Sequence, residues 1–233
     1  MSGQMINFDA NGSPAQGYLA TPDAGVGPGV IVLHAWWGLT EPFRQVCDRL
    51  AEAGFVALAP DLYRGKTATT IEEAETLGAA LDREGERASA DIERAVRYLR
   101  QREATAGAGG RGKLGVIGFS LGGAYALDLS VTQADDIAAV VIFYATYTGP
   151  DFQRAQAAYL CHFAESDPYE PAESVAAMEQ TLQAAGRQAT CYTYPGTTHW
   201  FFEANRPDAY DAAAAALAWD RTITFLNTQL RPA

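Results

Sequence analysis

Hydrophobic residues along the chain recur at two periods, and the switching between them outlines the fold. Alternation over Met5–Phe8 and again over Ala15–Ala20, on either side of Asn11-Gly12-Ser13-Pro14, predicts an N-terminal hairpin. Gly29–His34 is a continuous apolar run, the pattern of a parallel strand buried on both faces. In Glu41–Ala53 the apolar residues Phe43, Val46, Cys47, Leu50 and Ala53 fall at helical spacing, and Gly54 is placed to end the helix. A second strand, Phe55–Ala59, stops at Pro60-Asp61. Residues 64–84 show no well-defined period, whereas Ser89–Arg102 is a strongly periodic helix, followed by a flexible turn at Ala106-Gly107-Ala108-Gly109-Gly110. The pattern then predicts strands over Leu114–Ile117, Ala138–Tyr144, Ala157–Ala164 and Ala189–Tyr194, and helices over Gly123–Leu129, Ser174–Ala185 and Ala209–Leu230. Such alternation implies an α/β chain: a mostly parallel central sheet with helices on both faces. No repeat and no linker interrupts it, so residues 1–233 read as a single domain.

Composition narrows the class without changing that picture. A length of 233 residues with 48% hydrophobic and 19% charged side chains is ordinary for one α/β domain with a full core. No apolar run approaches the roughly 20 residues of a membrane span. Met1-Ser2-Gly3-Gln4 lacks the basic and apolar regions of a signal peptide, so the Asn11-Gly12-Ser13 glycosylation match carries no weight and the cytoplasm is the expected location. The net charge of −11, with Lys66 and Lys113 the only lysines and the arginines scattered, excludes a nucleic-acid partner and fits a role in solubility. Cys47, Cys161 and Cys191 are spaced too widely for a zinc or CxxC pattern and read as free thiols packed as small hydrophobes. Neither a metal nor another cofactor is expected.

The candidate chemistry sits where the apolar run Leu114–Ile117 enters Gly118-Phe119-Ser120-Leu121-Gly122-Gly123. A strand, then G-x-S-x-G, then a helix is the context of a nucleophile elbow, in which the serine is strained and its hydroxyl projects above the sheet. The chain passes too closely on either side for large side chains, which suits Gly118 and Gly122. The competing reading is an ordinary Gly/Ser turn, and the presence of partners decides between the two. A serine nucleophile needs a base and a group that orients the base, following it in chain order as Asp or Glu and then His. Of three histidines, His162 lies within a strand and reads as packed, while His34 precedes the elbow. His199, in the loop Gly196-Thr197-Thr198-His199-Trp200-Phe201, is the expected base. The orienting carboxylate should follow the strand Ala157–Ala164. Asp167 in Glu165-Ser166-Asp167-Pro168 is the first choice and Glu165 the alternative. One oxyanion donor is expected from the amide of Leu121 at a helix N-terminus, and the other from the loop Ala35-Trp36-Trp37-Gly38.

With these residues in view, the chain resembles the dienelactone hydrolase family of α/β hydrolases over nearly its whole length. His-Ala-Trp-Trp-Gly-Leu at 34–39 is similar to the family's His/Gln-Glu-x-x-Gly-Leu/Val segment, and Pro60-Asp61-Leu62-Tyr63 to its Pro-Asp-Leu-Tyr strand end. Gly118–Gly123 resembles its Gly-x-Cys/Ser-x-Gly-Gly elbow, and Gly196-x-x-His199-x-Phe201 its histidine loop. The resemblance implies an α/β-hydrolase fold, a triad of Ser120, His199 and Asp167, and Trp36 as the second oxyanion amide.

Two departures shape the expected chemistry. Dienelactone hydrolase itself uses a cysteine nucleophile and a glutamate that handles the thiol proton, where this chain has Ser120 and Ala35. A serine cannot rest as an anion near neutral pH, and a neighbouring carboxylate would compete for its hydroxyl hydrogen, so the two changes belong together. The family's substrate-carboxylate arginine lies four residues beyond the catalytic histidine, where this chain has Glu203. Arg64, Arg83 and Arg87 of the variable segment are the alternative carboxylate binders, but none matches a motif. These positions favour a neutral ester or lactone over an acidic dienelactone of the carboxymethylenebutenolidase type. Trp36, Trp37, Tyr63, Tyr144 and Trp200 fall near strand ends and, with Ala35 and Phe201, outline an aromatic, apolar pocket without a large lid.

The expected function is therefore a serine esterase or lactonase working through an acyl-enzyme on a small-molecule substrate, as a monomer or small homo-oligomer away from membranes. The alternatives are a non-catalytic small-ligand-binding relative, and thiol catalysis by one of the cysteines. Peptidase or acyltransferase activity fits the same triad. A histidine base predicts activity that falls on acidification.

Overall fold

The computed structural model describes residues 3–9, 14–102 and 112–231. The expected turns at 11–13 and 106–110 lie outside the described residues. Eight strands form one sheet in the order β1-β2-β4-β3-β5-β6-β7-β8, from β1 (Gln4–Asp9), β2 (Pro14–Ala20), β3 (Gly29–Leu33), β4 (Val56–Pro60), β5 (Leu114–Phe119), β6 (Ile137–Phe143), β7 (Ala158–Ser166) and β8 (Ala189–Thr198). β1 and β2 are antiparallel, as are β2 and β4, whereas β3–β4, β6–β7 and β7–β8 are parallel. The chain divides into two compact units, Met1–Val116 and Ile117–Ala233, with the boundary inside β5.

In the first unit, α1 (Glu41–Glu52), α2 (Ile71–Arg83) and α3 (Gly85–Gln101) accompany the strands. Strand parity explains the layering. Met5 pairs with Tyr18, whose hydroxyl donates to Asp48 of α1, while Phe8, of opposite parity to Met5, meets Tyr98 of α3 at 5.9 Å. Successive side chains point to opposite faces, so α1 and α3 cover opposite sides of the hairpin. Helix α2 lies in the stretch whose sequence period is indistinct. Its start is fixed by a capping box in which Thr70 accepts the Glu73 N–H at 3.2 Å and the Glu73 carboxylate accepts the Thr70 N–H at 3.3 Å. Its Gly78 is dictated by close approach, because a Cβ there would lie 2.3 Å from Trp36 Nε1.

The second unit holds α4 (Leu121–Thr132), α5 (Ala172–Ala184) and α6 (Ala212–Leu230), the last capped by Asp211, which accepts the Ala214 N–H at 2.8 Å. Cys161 and His162 are neighbours in β7 and so face opposite ways. His162 bonds Thr222 of α6, while Glu179 of α5 acts electrostatically on Cys161. Helices α5 and α6 therefore flank opposite faces of β7. A 3₁₀ turn at Phe152–Arg154 is an addition to the expected elements.

β8 runs longer than its hydrophobic pattern suggests, reaching Thr198 rather than ending at Tyr194. Ala164 pairs with Tyr194 but Ser166 pairs with Thr198, so β8 carries extra residues at a bulge. Pro195, which has no N–H to donate, and Gly196, with φ +73, occupy that bulge. The bulge sets the position from which His199 leaves the sheet.

Candidate active site

The elbow is built from the residues upward. Ser120 follows β5 with φ 48 and ψ −116, a left-handed conformation that costs a non-glycine residue about 1–3 kcal/mol. Two backbone bonds hold it there: its N–H donates to the Phe143 carbonyl at 2.9 Å, and its carbonyl accepts the Gly123 N–H at 2.7 Å. A Cβ on Gly118 would lie 2.4 Å from the Gly122 carbonyl oxygen and 2.6 Å from the Gly123 Cα, so the strand-to-helix crossing closes only without a side chain at that point. Leu121 is the first residue of α4, whose leading N–H groups have no intrahelical acceptor. It therefore presents its amide where the helix dipole favours negative charge.

Three side chains from three strand ends form one hydrogen-bonded line. Ser120 Oγ lies 3.1 Å from His199 Nε2, and His199 Nδ1 lies 2.7 Å from Asp167 Oδ2. The His199 and Asp167 side chains are 4% and 1% exposed, so their interaction is shielded from water. Asp167 is itself held: its Oδ1 accepts the N–H groups of Tyr169 at 2.9 Å and Glu170 at 3.1 Å, which leaves Oδ2 for the imidazole. With Nδ1–H donating to the carboxylate, Nε2 presents its lone pair to the serine hydroxyl. Glu165, the other carboxylate in that loop, is exposed and accepts the Gly196 N–H at 2.9 Å, so it caps the bulge and does not reach the histidine.

Backbone strain is concentrated here. Among the described residues, four non-glycines have positive φ: Arg64, Ser120, Tyr144 and Trp200. The last three surround His199. The Tyr144 and Trp200 rings lie 4.8 Å and 4.9 Å from the imidazole. Tyr144 is fixed from behind by its N–H bond to the His162 carbonyl at 2.8 Å and by a hydroxyl that donates to Glu203 Oε1 at 2.8 Å. Glu203 is 1% exposed, and its Oε2 has no hydrogen-bond partner among the described residues. Burial, outweighing the Tyr144 hydrogen bond and the Arg206 charge, pushes its carboxyl up to about 8. At neutral pH it is a neutral acid beneath the histidine loop, not a surface charge. Burial and Glu203 likewise push the Tyr144 hydroxyl well above the ordinary tyrosine range.

The remaining positions singled out in the sequence separate by location. Phe201 is fully buried and braces Tyr144 and Tyr194 at ring distances of 5.7 Å and 5.0 Å. In the first unit, Ala35, Trp37 and Tyr63 are buried and Trp36 is half-buried against Gly78, so a pocket or oxyanion role for these four rests on the sequence. His34 is a core residue. The Leu62 N–H donates to its Nε2 at 3.2 Å, its Nδ1–H donates to the Ala35 carbonyl at 2.8 Å, and burial lowers its basicity. Tyr169 escaped the sequence reading. It is 48% exposed, and its ring lies 4.8 Å from His199 and 5.4 Å from Trp200. Its place two residues after the orienting carboxylate was the available signal. Among the described residues, no group of three or more His, Cys, Asp or Glu side chains is arranged to hold a metal ion.

Comparison with known proteins gives this geometry a setting. The model of the dienelactone hydrolase family matches residues 15–230. The chain is 34% identical to Protein usf of Aquifex pyrophilus over 234 residues, covering 98% of this chain and 99% of that one. It is 30% identical to a putative carboxymethylenebutenolidase of Aquifex aeolicus over 238 residues, covering 98% and 100%. Among solved structures, a dienelactone hydrolase-like promiscuous phosphotriesterase from metagenomic libraries superposes with a TM-score of 0.84 at 22% identity, covering 98% and 99%, a likeness of fold.

Proposed function

Because the chain belongs to the dienelactone hydrolase family, we propose that it hydrolyses carboxylic esters or lactones through an acyl-enzyme formed on Ser120. The observation that carries the mechanism is the unbroken line from Ser120 Oγ to His199 at 3.1 Å and from His199 to Asp167 at 2.7 Å. Ser120 Oγ attacks the carbonyl carbon while His199 Nε2 takes its proton. Asp167, accepting the Nδ1–H, fixes the tautomer and stabilises the imidazolium. The carbonyl oxygen becomes an oxyanion held by the Leu121 amide at the head of α4. Collapse expels the alkoxide, which takes the proton from His199, and the acyl-enzyme remains. With a lactone the new hydroxyl stays on the acyl chain. Water, activated by His199, then releases the acid.

The substrate reading is a neutral ester or lactone. Glu203 stands four residues beyond His199, buried and bonded to Tyr144, so it offers no cation to a substrate carboxylate. Tyr144, Trp200 and the exposed Tyr169 surround the imidazole with aromatic surface suited to an apolar acyl or alcohol group. The same reading takes the chain as one cytoplasmic hydrolase domain, a monomer or small homo-oligomer, working without a cofactor. Its charge of −11 is unsuited to nucleic acid. Among the described residues no helix is long and apolar enough to cross a membrane.

A fluorophosphonate probe tests the mechanism. The expected result is one covalent adduct on Ser120, lost in Ser120→Ala. A wild-type protein that hydrolyses p-nitrophenyl esters without taking up the probe would overturn it. A panel of such esters and of lactones, matched in size and varied in charge, should give higher kcat/KM for the neutral members.

A further inference from the structure

The mechanism leaves Cys161 and Cys191 unused, and their arrangement is not that of two independent core thiols. They are in-register partners on the neighbouring parallel strands β7 and β8, so their side chains leave the same face of the sheet side by side. Cys161 is buried, whereas Cys191 is half-exposed and open to a small oxidant. We propose that Cys161 and Cys191 form a reversible oxidation site, closing a disulfide between β7 and β8 on exposure to a peroxide.

The division of labour follows from the pair. Cys161 is buried whereas Cys191 reaches solvent, and the two neighbouring thiols act on each other in the same sense: Cys191 and burial hold the Cys161 thiol well above the ordinary range, while Cys161 lowers that of Cys191. Cys191 is therefore the sulfur that reacts first. Its thiolate attacks one peroxide oxygen, the O–O bond breaks, and with one proton the leaving oxygen departs as water, leaving a sulfenic acid. The Cys161 sulfur then attacks the Cys191 sulfur, the S–O bond breaks, and a second water leaves with the Cys161 proton. Two electrons pass from the two sulfurs to one peroxide. Adjacent strands stand about 4.8 Å apart, inside the Cα range of a disulfide, but the Cβ atoms must close to about 3.8 Å. The bond thus pinches the strands together and is readily re-reduced by thiols. Cys47 lies alone in α1 with its thiol pushed up by burial, and takes no part.

The test uses the folded protein, treated with hydrogen peroxide, quenched, alkylated in denaturant and weighed. The expected product has lost two hydrogens, yields a peptide linking Cys161 to Cys191, and returns to three alkylated cysteines after reduced glutathione. Cys47→Ser should give the same link, and Cys161→Ser should stop at a Cys191 sulfenic acid trapped by dimedone. Three free thiols at a peroxide level that fully oxidises glutathione would overturn the proposal. So would Cys191 proceeding to sulfinic acid, or a bond between chains, while Cys161 keeps its proton.

Discussion

Two histidines of the second unit, His162 and His199, are nearly alike in burial and in having both ring nitrogens engaged, yet their partners differ in kind. His162, midway along β7, meets the Tyr194 hydroxyl at Nδ1 (2.8 Å) and the Thr222 hydroxyl at Nε2 (3.1 Å). Both partners are neutral. Burial, helped by the Arg221 charge, drives the imidazole down to about 3, so it stays uncharged through the physiological range. His199, just beyond β8, meets a carboxylate on one side and a strained serine on the other. Placement within the sheet makes the difference. A mid-strand ring is enclosed between the sheet and α6, whereas a ring at the carboxyl end can face a substrate. The role proposed for His199 rests on its partners and position, not on residue type or burial.

The largest expected effect breaks the His199 side of the comparison at its end. Ser120→Ala should lower kcat by about 10⁴- to 10⁶-fold with the fold unchanged, read by ester hydrolysis and circular dichroism. A residual rate within tenfold of wild type would move the nucleophile elsewhere, and inactivation of that variant by iodoacetamide would point to a cysteine. Next comes the partner. Asp167→Asn should cost about 10⁴-fold in kcat, because an amide can hold the imidazole in the wrong tautomer. Glu165→Gln, one bulge away, should leave kcat within about twofold. Equal losses in the two variants would mean that the loop, not the Asp167 carboxylate, matters.

How much of this was legible in the sequence depends on whether the signal was local. The β3 and β5 strands announce themselves as unbroken apolar runs, and the elbow glycines follow from a crossing too tight for a Cβ. Asp167 and His199 follow from chain order and turn chemistry. Helix α2 was missed because its apolar positions are diluted with alanine and glycine, although Thr70-x-x-Glu73 marks its start. The extension of β8 to Thr198 was hidden because a bulge containing Pro195 and Gly196 breaks the alternation. The Tyr144–Glu203 bond joins residues 59 apart in sequence, and no short-range pattern encodes it. The exchange of charges around it could be read, but not its burial.

That bond yields the next prediction, which concerns stability. Glu203 titrates near 8 in the folded chain against an ordinary 4.5, so between these values the native state holds a proton that the unfolded chain has released. Stability is then lost as pH rises through that window. Glu203→Gln keeps an acceptor for Tyr144 and has no proton to lose. Its melting temperature relative to wild type should rise from pH 5 to pH 9, by a few kcal/mol or about 5–10 °C at this chain length. An offset that stays constant from pH 5 to pH 9 would show that the carboxyl ionises freely in the native state.

The smallest expected effect lies on the other side of the comparison and has the opposite sign. His162 is depressed to about 3 from 6.5, so below the ordinary histidine range the unfolded chain binds a proton that the native chain refuses. Stability is therefore lost as pH falls from about 6.5 toward 3. His162→Gln keeps polar atoms near Tyr194 and Thr222 and should cost about 1–2 kcal/mol at pH 7, with kcat within about threefold of wild type. At pH 4.5 the wild type has given up about 2–3 kcal/mol through this proton and the variant has not, so the deficit should close or reverse. Urea melts at the two pH values read this directly. A deficit that widens in acid would mean that native His162 accepts the proton. A kcat loss approaching that of Asp167→Asn would mean that the mid-strand histidine, too, belongs to the chemistry.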